Sequence, residues 1–595
     1  MKSYKAIFIL SFIFLLACGN KKQQTGDNNS SDTELATIVE NSIIEESEPE
    51  QAPPPPPLTS TPKLVPPVIA EDEKVQISIT TVEGTDEMYA VDIAELQEHK
   101  AIVEEAPREL AYIRVPQERP NNEEYSQFAE NKFRLATEEP LSTFSVDVDA
   151  ASYSNLRRYI NRGELPNKDA IRIEELINYF SYNYPEPSGS EPVRITTEVG
   201  NCPWNDQHRL VRIGLKAKSI ADDKLPASNF VFLIDVSGSM YGATRLDLVK
   251  SSLKLLVNNL REKDRVAIVV YSGAAGEVLP STSGADKQKI KESLDNLTAG
   301  GSTAGGAGIK LAYQIARKNF IKDGNNRVIL CTDGDFNVGV SSNSGLESLI
   351  EEERKSGVFL SILGYGMGNY KDSKMQTLAQ AGNGNHAYID NLQEANKVLV
   401  NEFGSTMYTV AKDVKLQIEF NPTKVQAYRL VGYETRLLNK EDFNDDTKDA
   451  GEMGAGHTVT AFYEVIPMGV KSNFTGSVDP LKYQDNDKKP IVDQVKTTGL
   501  PDLLTVKLRY KQPNSDTSKK IEVPLIDDKT NNVSNDFRFA ASVAMFGQVL
   551  KNSQYKGEGT FDKAISLAKL GFGEDQQGYR REFVRLMEAS KGLAN

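Results

Sequence analysis

Apolar runs alternate with helix-type patterns through the middle of the chain. Four largely apolar runs cover residues 230–235, 265–271, 327–334 and 358–366, as is typical of strands that are buried on both faces of a parallel sheet. After the first run, apolar residues recur every three or four positions, which is the spacing of an amphipathic helix. This alternation predicts an α/β domain with a doubly wound, Rossmann-like parallel sheet, which we place at 226–405.

On both flanks of this domain, apolar and polar residues alternate instead, as in half-buried antiparallel strands. The alternating segments are 194–200, 209–218, 413–420, 427–434, 458–467, 503–510 and 521–525. We therefore expect one β-sandwich built from an N-terminal flanking domain at 111–225, which also has helical patterns, and a C-terminal flanking domain at 406–530. The α/β domain is then inserted between them, and amphipathic patterns at 531–595 predict helices docked on the sandwich.

The start of the chain has the pattern of a secretory signal. Lys2 and Lys5 precede an apolar run at 6–17, and the sequence turns polar immediately after Cys18. A membrane-spanning helix needs about 20 apolar residues, so this run is too short to cross a bilayer. We expect residues 1–17 to be a signal peptide.

An acidic, proline-rich segment follows at 18–110. It contains 6 Lys/Arg and 20 Asp/Glu, a balance equal to the net charge of −14 of the whole chain. With few aromatics and a proline run at 53–57, the segment should form a disordered tether. The net charge argues against a nucleic-acid partner, and the remaining body is nearly neutral.

The counts of cysteine and histidine limit the possible chemistry. The 595 residues include 3 cysteines and 4 histidines. Three cysteines cannot form a disulfide framework, and four histidines leave little material for zinc sites or Ser–His–Asp triads.

Oxygen-bearing side chains instead cluster in three segments of the α/β domain. Asp235, Ser237 and Ser239 follow its first apolar run, Thr303 lies in the glycine-rich GGSTAGG, and Asp333 ends a later run. In open α/β sheets, ligands bind beyond the carboxyl ends of the strands. Two carboxylates and three hydroxyls at such a place suit Mg²⁺, Mn²⁺ or Ca²⁺ and not zinc.

These residues resemble the metal-ion-dependent adhesion site (MIDAS) of the von Willebrand factor type A (VWA) domain, whose pattern is DxSxS, a threonine and an aspartate. The resemblance implies that Ser237, Ser239 and Thr303 ligate the metal, and that Asp235 and Asp333 ligate directly or through water. Mostly neutral ligands leave charge on the cation for an outside ligand. The resemblance therefore implies a coordination position for an Asp or Glu of a partner protein.

Other motifs resemble those of bacterial lipoproteins. The sequence LLAC, which ends at Cys18, is similar to a lipobox, which implies cleavage before Cys18 and its acylation to form a stable anchor. STFSVDVDAASY at 142–153, CPWN at 202–205 and YRLVGYE at 428–434 resemble a group of bacterial VWA lipoproteins. We expect a lipid-anchored protein of the bacterial cell envelope, at the outer membrane, with its periplasmic or surface orientation open.

The expected function is non-enzymatic binding of a partner protein that depends on a divalent cation. Two alternatives are an envelope scaffold or assembly factor with a structural metal, and a hydrolase whose cation activates water. The hydrolase is disfavoured because the three segments supply no general base beyond the ligands. The acidic stretch at 441–452 is a candidate calcium loop, but it lacks the DxDxDG spacing and favours a solvated loop.

Overall fold

The computed structural model describes residues 123, 125–301, 305–334, 343–368, 370–474, 500–513 and 515–594. The expected signal peptide, Cys18 and the tether at 18–110 lie outside the described residues, as do Thr303 and residues 111–122. In the ranges given above, no helix is both long and apolar enough to cross a membrane.

The N-terminal flank contributes strands and two helices to the described body. Its elements are β1 (Arg134–Leu135), β2 (Leu141–Ser145), α1 (Ala151–Asn161), α2 (Ile173–Asn178), β3 (Val193–Cys202) and β4 (Asn205–Ala217). Strands β3 and β4 form an antiparallel hairpin in which Val193 lies opposite Ala217. Helix α1 is buried from Ala151 to Ile160, so it is an internal element of the molecule.

The central domain alternates strands and helices. Its elements are β5 (Ser228–Asp235), α3 (Leu246–Asn258), β6 (Arg265–Tyr271), β7 (Ala275–Ser283), α4 (Lys287–Asp295), α5 (Gly305–Lys318), β8 (Asn325–Thr332), α6 (Asn343–Arg354), β9 (Phe359–Gly364), α7 (Asp372–Ala381), β10 (His386–Tyr388), α8 (Leu392–Asn396) and α9 (Phe403–Met407). Among the described residues, the sheet order is β10-β9-β8-β5-β6-β7. Phe232 and Ile234 of β5 enter one apolar cluster, and Val231 and Leu233 enter another. Cores on both faces of the sheet explain the continuous apolar runs, and the expected α/β class is confirmed.

One strand of this sheet differs from the expectation. Strand β7 pairs antiparallel with β6, whereas the other neighbouring strands pair parallel as expected, so the sheet is mixed. Most residues of β7 are exposed or half-buried, and Pro280 interrupts it. An edge strand covered on one side needs no continuous apolar run, which is why the sequence pattern did not indicate it.

The C-terminal flank consists mainly of strands. They are β11 (Thr409–Phe420), β12 (Val425–Val431), β13 (Leu437–Leu438), β14 (Gly451–Gly454), β15 (Thr458–Pro467), β16 (Leu504–Lys511) and β17 (Ser518–Leu525). Each of two sheets combines strands of both flanks, in the orders β1-β12-β15-β4-β3 and β13-β2-β11-β16-β17. Leu215 of β4 lies opposite Val459 of β15, and Phe144 of β2 lies opposite Leu416 of β11. These residues share one apolar core, so the expected sandwich around an inserted domain is confirmed.

The C-terminal part of the chain forms helices that pack on the outer side of the sandwich. They are α10 (Asn535–Leu550), α11 (Phe561–Leu570) and α12 (Tyr579–Ala594). Their apolar residues form one cluster with those of α1 and α2 and with Leu210 and Phe462 of the β4–β15 pair. The next residue of β4, Val211, faces the sandwich core instead. One sheet therefore carries the sandwich core on one face and the helices on the other.

Candidate metal centre

Asp235 is the last residue of β5, and its side chain is fully buried. Its Oδ1 accepts a hydrogen bond from the Ser237 backbone N–H at 2.9 Å. Its Oδ2 accepts hydrogen bonds from the Tyr271 hydroxyl at 3.1 Å and the Thr332 hydroxyl at 3.2 Å. Tyr271 and Thr332 are the last residues of β6 and β8, which flank β5 in the sheet. The ends of both neighbouring strands therefore hold this carboxylate in place.

The loop after β5 presents Ser237 and Ser239. Residues Gly238–Met240 form a short 3₁₀ turn, and the two serine hydroxyl oxygens lie 3.0 Å apart. The loop therefore places two neutral oxygen ligands side by side. Thr303 lies outside the described residues, so its place beside these hydroxyls stays a prediction.

A second, glycine-rich loop packs against the serine loop. The Gly238 N–H donates to the Gly301 carbonyl at 3.0 Å, and the Gly300 N–H donates to the Val236 carbonyl at 2.7 Å. Gly301 has a φ of +85°, and a Cβ there would lie 2.5 Å from the Ser272 Oγ. The backbone conformation therefore favours glycine, and a Cβ would also displace the Ser272 hydroxyl.

Asp333 follows β8 directly and is buried, with 2% of the residue exposed. The Arg245 Nε lies 3.5 Å from its Oδ2, so a guanidinium faces this carboxylate. Of the five expected ligands, the described ones lie at the carboxyl ends of β5 and β8: Asp235, Ser237, Ser239 and Asp333.

The electrostatics of the site suit a cation. Burial raises the pKa of Asp235, and the negative charge of Asp333 raises it further, whereas hydrogen bonds from Ser237 and Tyr271 lower it. A bound cation would favour the ionised form of both buried carboxylates. Carboxylate and hydroxyl oxygens are the ligands that hard divalent cations prefer, so the donor set fits Mg²⁺, Mn²⁺ or Ca²⁺.

This candidate differs from a site built on acidic or sulfur ligands alone. Within the described part of the chain, no three His, Cys, Asp or Glu side chains are grouped to hold a metal. The candidate site relies on serine hydroxyls to complete its set of oxygen donors.

Three residues of the site, Tyr271, Thr332 and Arg245, were not predicted from the sequence. Tyr271 and Thr332 each end a strand next to β5, and a polar residue at a strand end is a signal that could have indicated them. Arg245 precedes α3, and nothing around it in the sequence indicates its contact with Asp333.

The acidic stretch at 441–452 does not converge on a second metal site. Asp446 pairs with Arg509 at 2.9 Å, and Asp449 pairs with Arg354 at 3.0 Å. These two carboxylates pair with separate basic partners, whereas Glu452 lies in β14 and accepts a hydrogen bond from the Thr409 hydroxyl at 2.6 Å.

Family models match consecutive parts of the chain. One described as von Willebrand factor matches residues 119–212, and the von Willebrand factor type A domain matches 229–402. A model described as the C-terminal part of the uncharacterized protein YfbK matches 405–593. The uncharacterized protein YfbK of Escherichia coli (strain K12) is 45% identical over 483 residues, which cover 80% of this chain and 82% of that protein.

Two solved structures show more distant likeness. A von Willebrand factor type A protein from Catenulispora acidiphila is 16% identical, with a TM-score of 0.35, over 77% of this chain and 91% of its own. Proximal thread matrix protein 1 from the mussel byssus, described with a zinc-occupied MIDAS motif, is 23% identical, with a TM-score of 0.25, over 30% of this chain and 45% of its own. At these scores, neither likeness bears on the function of this chain.

Proposed function

The chain belongs to the family of the Escherichia coli protein YfbK and contains a VWA domain, and from this premise we propose that it binds a partner protein through a divalent cation. The observation that supports the proposal most is the pairing of two buried carboxylates, Asp235 and Asp333, with the adjacent hydroxyls of Ser237 and Ser239. The loop that carries these serines continues to Tyr241, which is 81% exposed. This exposed side chain supports the proposal that a protein partner reaches the serine loop.

The residues of the site have distinct roles in this proposal. Ser237, Ser239 and Thr303 would ligate the cation, with Asp235 and Asp333 ligating directly or through water. When bound, the cation supplies a coordination position for the carboxylate of a partner's Asp or Glu. Since the hydroxyl ligands are neutral, they leave much of the cation's charge available to that carboxylate.

The proposed location of the protein is the bacterial cell envelope. The resemblance of LLAC to a lipobox supports a lipid anchor at Cys18 in the bacterial envelope, at the outer membrane. A protein fixed to the membrane with a binding domain on a long tether is suited to capture and hold another envelope protein, without catalysis.

The experiment is capture of partners from membrane extracts by the full chain in detergent. We expect capture in Mg²⁺, loss in EDTA, and loss in Thr303→Ala and in Ser237→Ala. Direct coordination should also resist moderate salt better than a surface ion pair. Ser251→Ala is the matched control, because Ser251 is an exposed serine of α3 whose hydroxyl donates to the Asp247 carbonyl at 2.8 Å.

Three outcomes separate the functions. Equal capture of a purified partner in EDTA and by the variants would contradict cation-dependent binding and favour the scaffold. Hydrolysis of ester or peptide reporters that requires the cation and disappears in Asp235→Ala would favour the hydrolase. Capture that follows the cation supports the proposed function.

A further inference from the structure

Glu123 joins the N-terminal flank to a loop of the central domain. Its side chain is 2% exposed and accepts hydrogen bonds from Arg158 at 2.6 and 2.7 Å and from the Tyr159 hydroxyl at 2.9 Å. Its Oε1 also accepts from the Gly368 N–H at 2.9 Å. Arg158 and Tyr159 belong to α1, and Gly368 follows β9. One carboxylate therefore bridges the two parts of the molecule.

This bridge is charged at physiological pH. Burial opposes ionisation of Glu123, but Arg158, the Gly368 N–H and the Tyr159 hydroxyl together hold its pKa at about 2. A charged carboxylate with several donors makes a stronger contact than a neutral hydrogen bond.

The loop at 366–368 extends this contact to Arg245. The Met367 carbonyl accepts a hydrogen bond from the Arg245 Nη2 at 2.7 Å. Gly366 has a φ of +76°, and a Cβ there would lie 2.6 Å from the Arg245 Nε. A glycine therefore lets the guanidinium lie directly against the loop.

The same guanidinium faces the candidate metal ligand Asp333, at 3.5 Å. A series of contacts thus runs from Glu123 through Gly368, Met367 and Arg245 to Asp333. We propose that Glu123 is a positioning residue for the metal site, because it fixes the 366–368 loop, which fixes the guanidinium that orients Asp333. This inference rests on the proposed metal site, but it concerns the affinity for the cation and not the capture of a partner.

Coupling of this kind has to act in both directions. If docking of Glu123 favours the bound cation, the cation favours docking of Glu123 by the same factor. Backbone amides at 125–130, which follow Glu123, should therefore exchange hydrogen more slowly when Mg²⁺ or Mn²⁺ is present.

The test measures the dissociation constants of Mg²⁺ and Mn²⁺ by titration calorimetry on the full chain in detergent. We expect Glu123→Ala to weaken binding by at least about fivefold, the lower end of typical coupling between sites. Glu123→Gln keeps an acceptor for the Gly368 N–H and should lose less. Glu139→Ala is the matched control, because Glu139 forms an exposed ion pair with Arg134 in the same flank, and it should leave the constants unchanged.

A double-mutant cycle separates positioning from a general loss of structure. If the contact series carries the effect, Glu123→Ala should change the constants little once Arg245→Ala is present. The same fold-change in both backgrounds, or no change in the wild-type background, would overturn the positioning role, and so would a wild-type chain that binds no cation. A reduced cation affinity together with cation-independent capture of the partner would contradict the proposed function and leave the positioning role supported.

Discussion

At the scale of single residues, Asp235 offers a direct test of the cation. A ligand that binds only the native state adds about 1.4 kcal/mol to its stability at ten times the dissociation constant. For a domain of this size, that corresponds to a rise in Tm of about 3–6 °C. We expect such a rise for the central domain with Mg²⁺ or Mn²⁺ by calorimetry. EDTA should reverse it, and Asp235→Ala should not show it.

Asp247→Asn is a suitable control for this measurement. Asp247 is exposed in the first turn of α3, so its removal changes the charge near the site but leaves the expected ligands in place. The control should keep the rise in Tm. An equal rise in Asp235→Ala would show that the cation binds elsewhere.

The buried side chain of Glu174 should make the stability of the protein depend on pH. Burial, followed by the charges of Glu434 and Glu175, raises its pKa to about 7, and within the described residues its Oε2 has no hydrogen-bond partner. The unfolded pKa is about 4.3. The contribution of protonated Glu174 to the free energy of unfolding is therefore fully present below about pH 4. It is lost as the pH rises through 7.

Glu174→Gln removes this titration. The difference in stability between the variant and the wild type should shift in favour of the variant by roughly 2–3 kcal/mol between pH 5 and pH 8, as measured by urea unfolding. Parallel stability curves for the two proteins between these pH values would contradict the assignment.

At the scale of elements, one arginine of α1 connects three parts of the chain. The Arg157 Nε donates to Asp390 at 2.8 Å, its Nη2 donates to Glu394 at 2.7 Å, and its Nη1 donates to Glu582 at 3.3 Å. Asp390 and Glu394 belong to the end of the central domain, and Glu582 belongs to α12. The arginine side chain is fully buried, so its contacts determine how α1 and α12 pack against the central domain.

Arg157→Ala would leave three acidic side chains without this partner. Breaking a buried ion pair from one side costs about 3–5 kcal/mol, and we expect a loss of this size in urea unfolding. Arg162→Ala is the control at the end of the same helix, because Arg162 forms an exposed pair with Glu164. It should change the stability by less than about 1 kcal/mol, and equal losses in the two variants would contradict the role of Arg157.

The elements that could be predicted from sequence are those with a strong local pattern. Strands β5, β6, β8 and β9 have continuous apolar runs because both faces are covered, whereas the half-exposed β7 does not. The contact between Arg157 and Asp390 joins residues 233 positions apart. A local sequence pattern cannot indicate this contact, because the contact depends on how the folded elements pack against each other.

The same limit applies to the candidate site. Asp235, Ser237 and Asp333 could be proposed because they stand in short motifs at the ends of apolar runs. The contacts of Tyr271 and Arg245 depend on strand register and on the course of the 366–368 loop. These features are set by tertiary structure, so the sequence alone did not indicate them.

At the scale of the whole molecule, the prediction concerns attachment to the membrane. If Cys18 is acylated, the native protein should take up a palmitate label, and Cys18→Ser should lose the label and accumulate as a soluble or uncleaved precursor. Cys202→Ala removes another cysteine and should keep the label. If residues 18–110 form the expected tether, mild proteolysis within them should release the folded body, because disordered chain is cut more readily than packed elements. An unlabelled native protein would contradict the anchor.

The sandwich built from both flanks also has a consequence for biosynthesis. Strand β4 is complete at Ala217, but its partner β15 begins at Thr458. At 5–20 residues per second, a ribosome needs about 10–50 s to make the intervening chain. The central domain, whose strands lie between Ser228 and Tyr388, can fold during this time, while one edge of β4 waits unpaired. An unpaired strand edge can pair with other chains and aggregate. The nascent chain is therefore expected to need a chaperone that protects this edge until β15 has been made and pairs with β4.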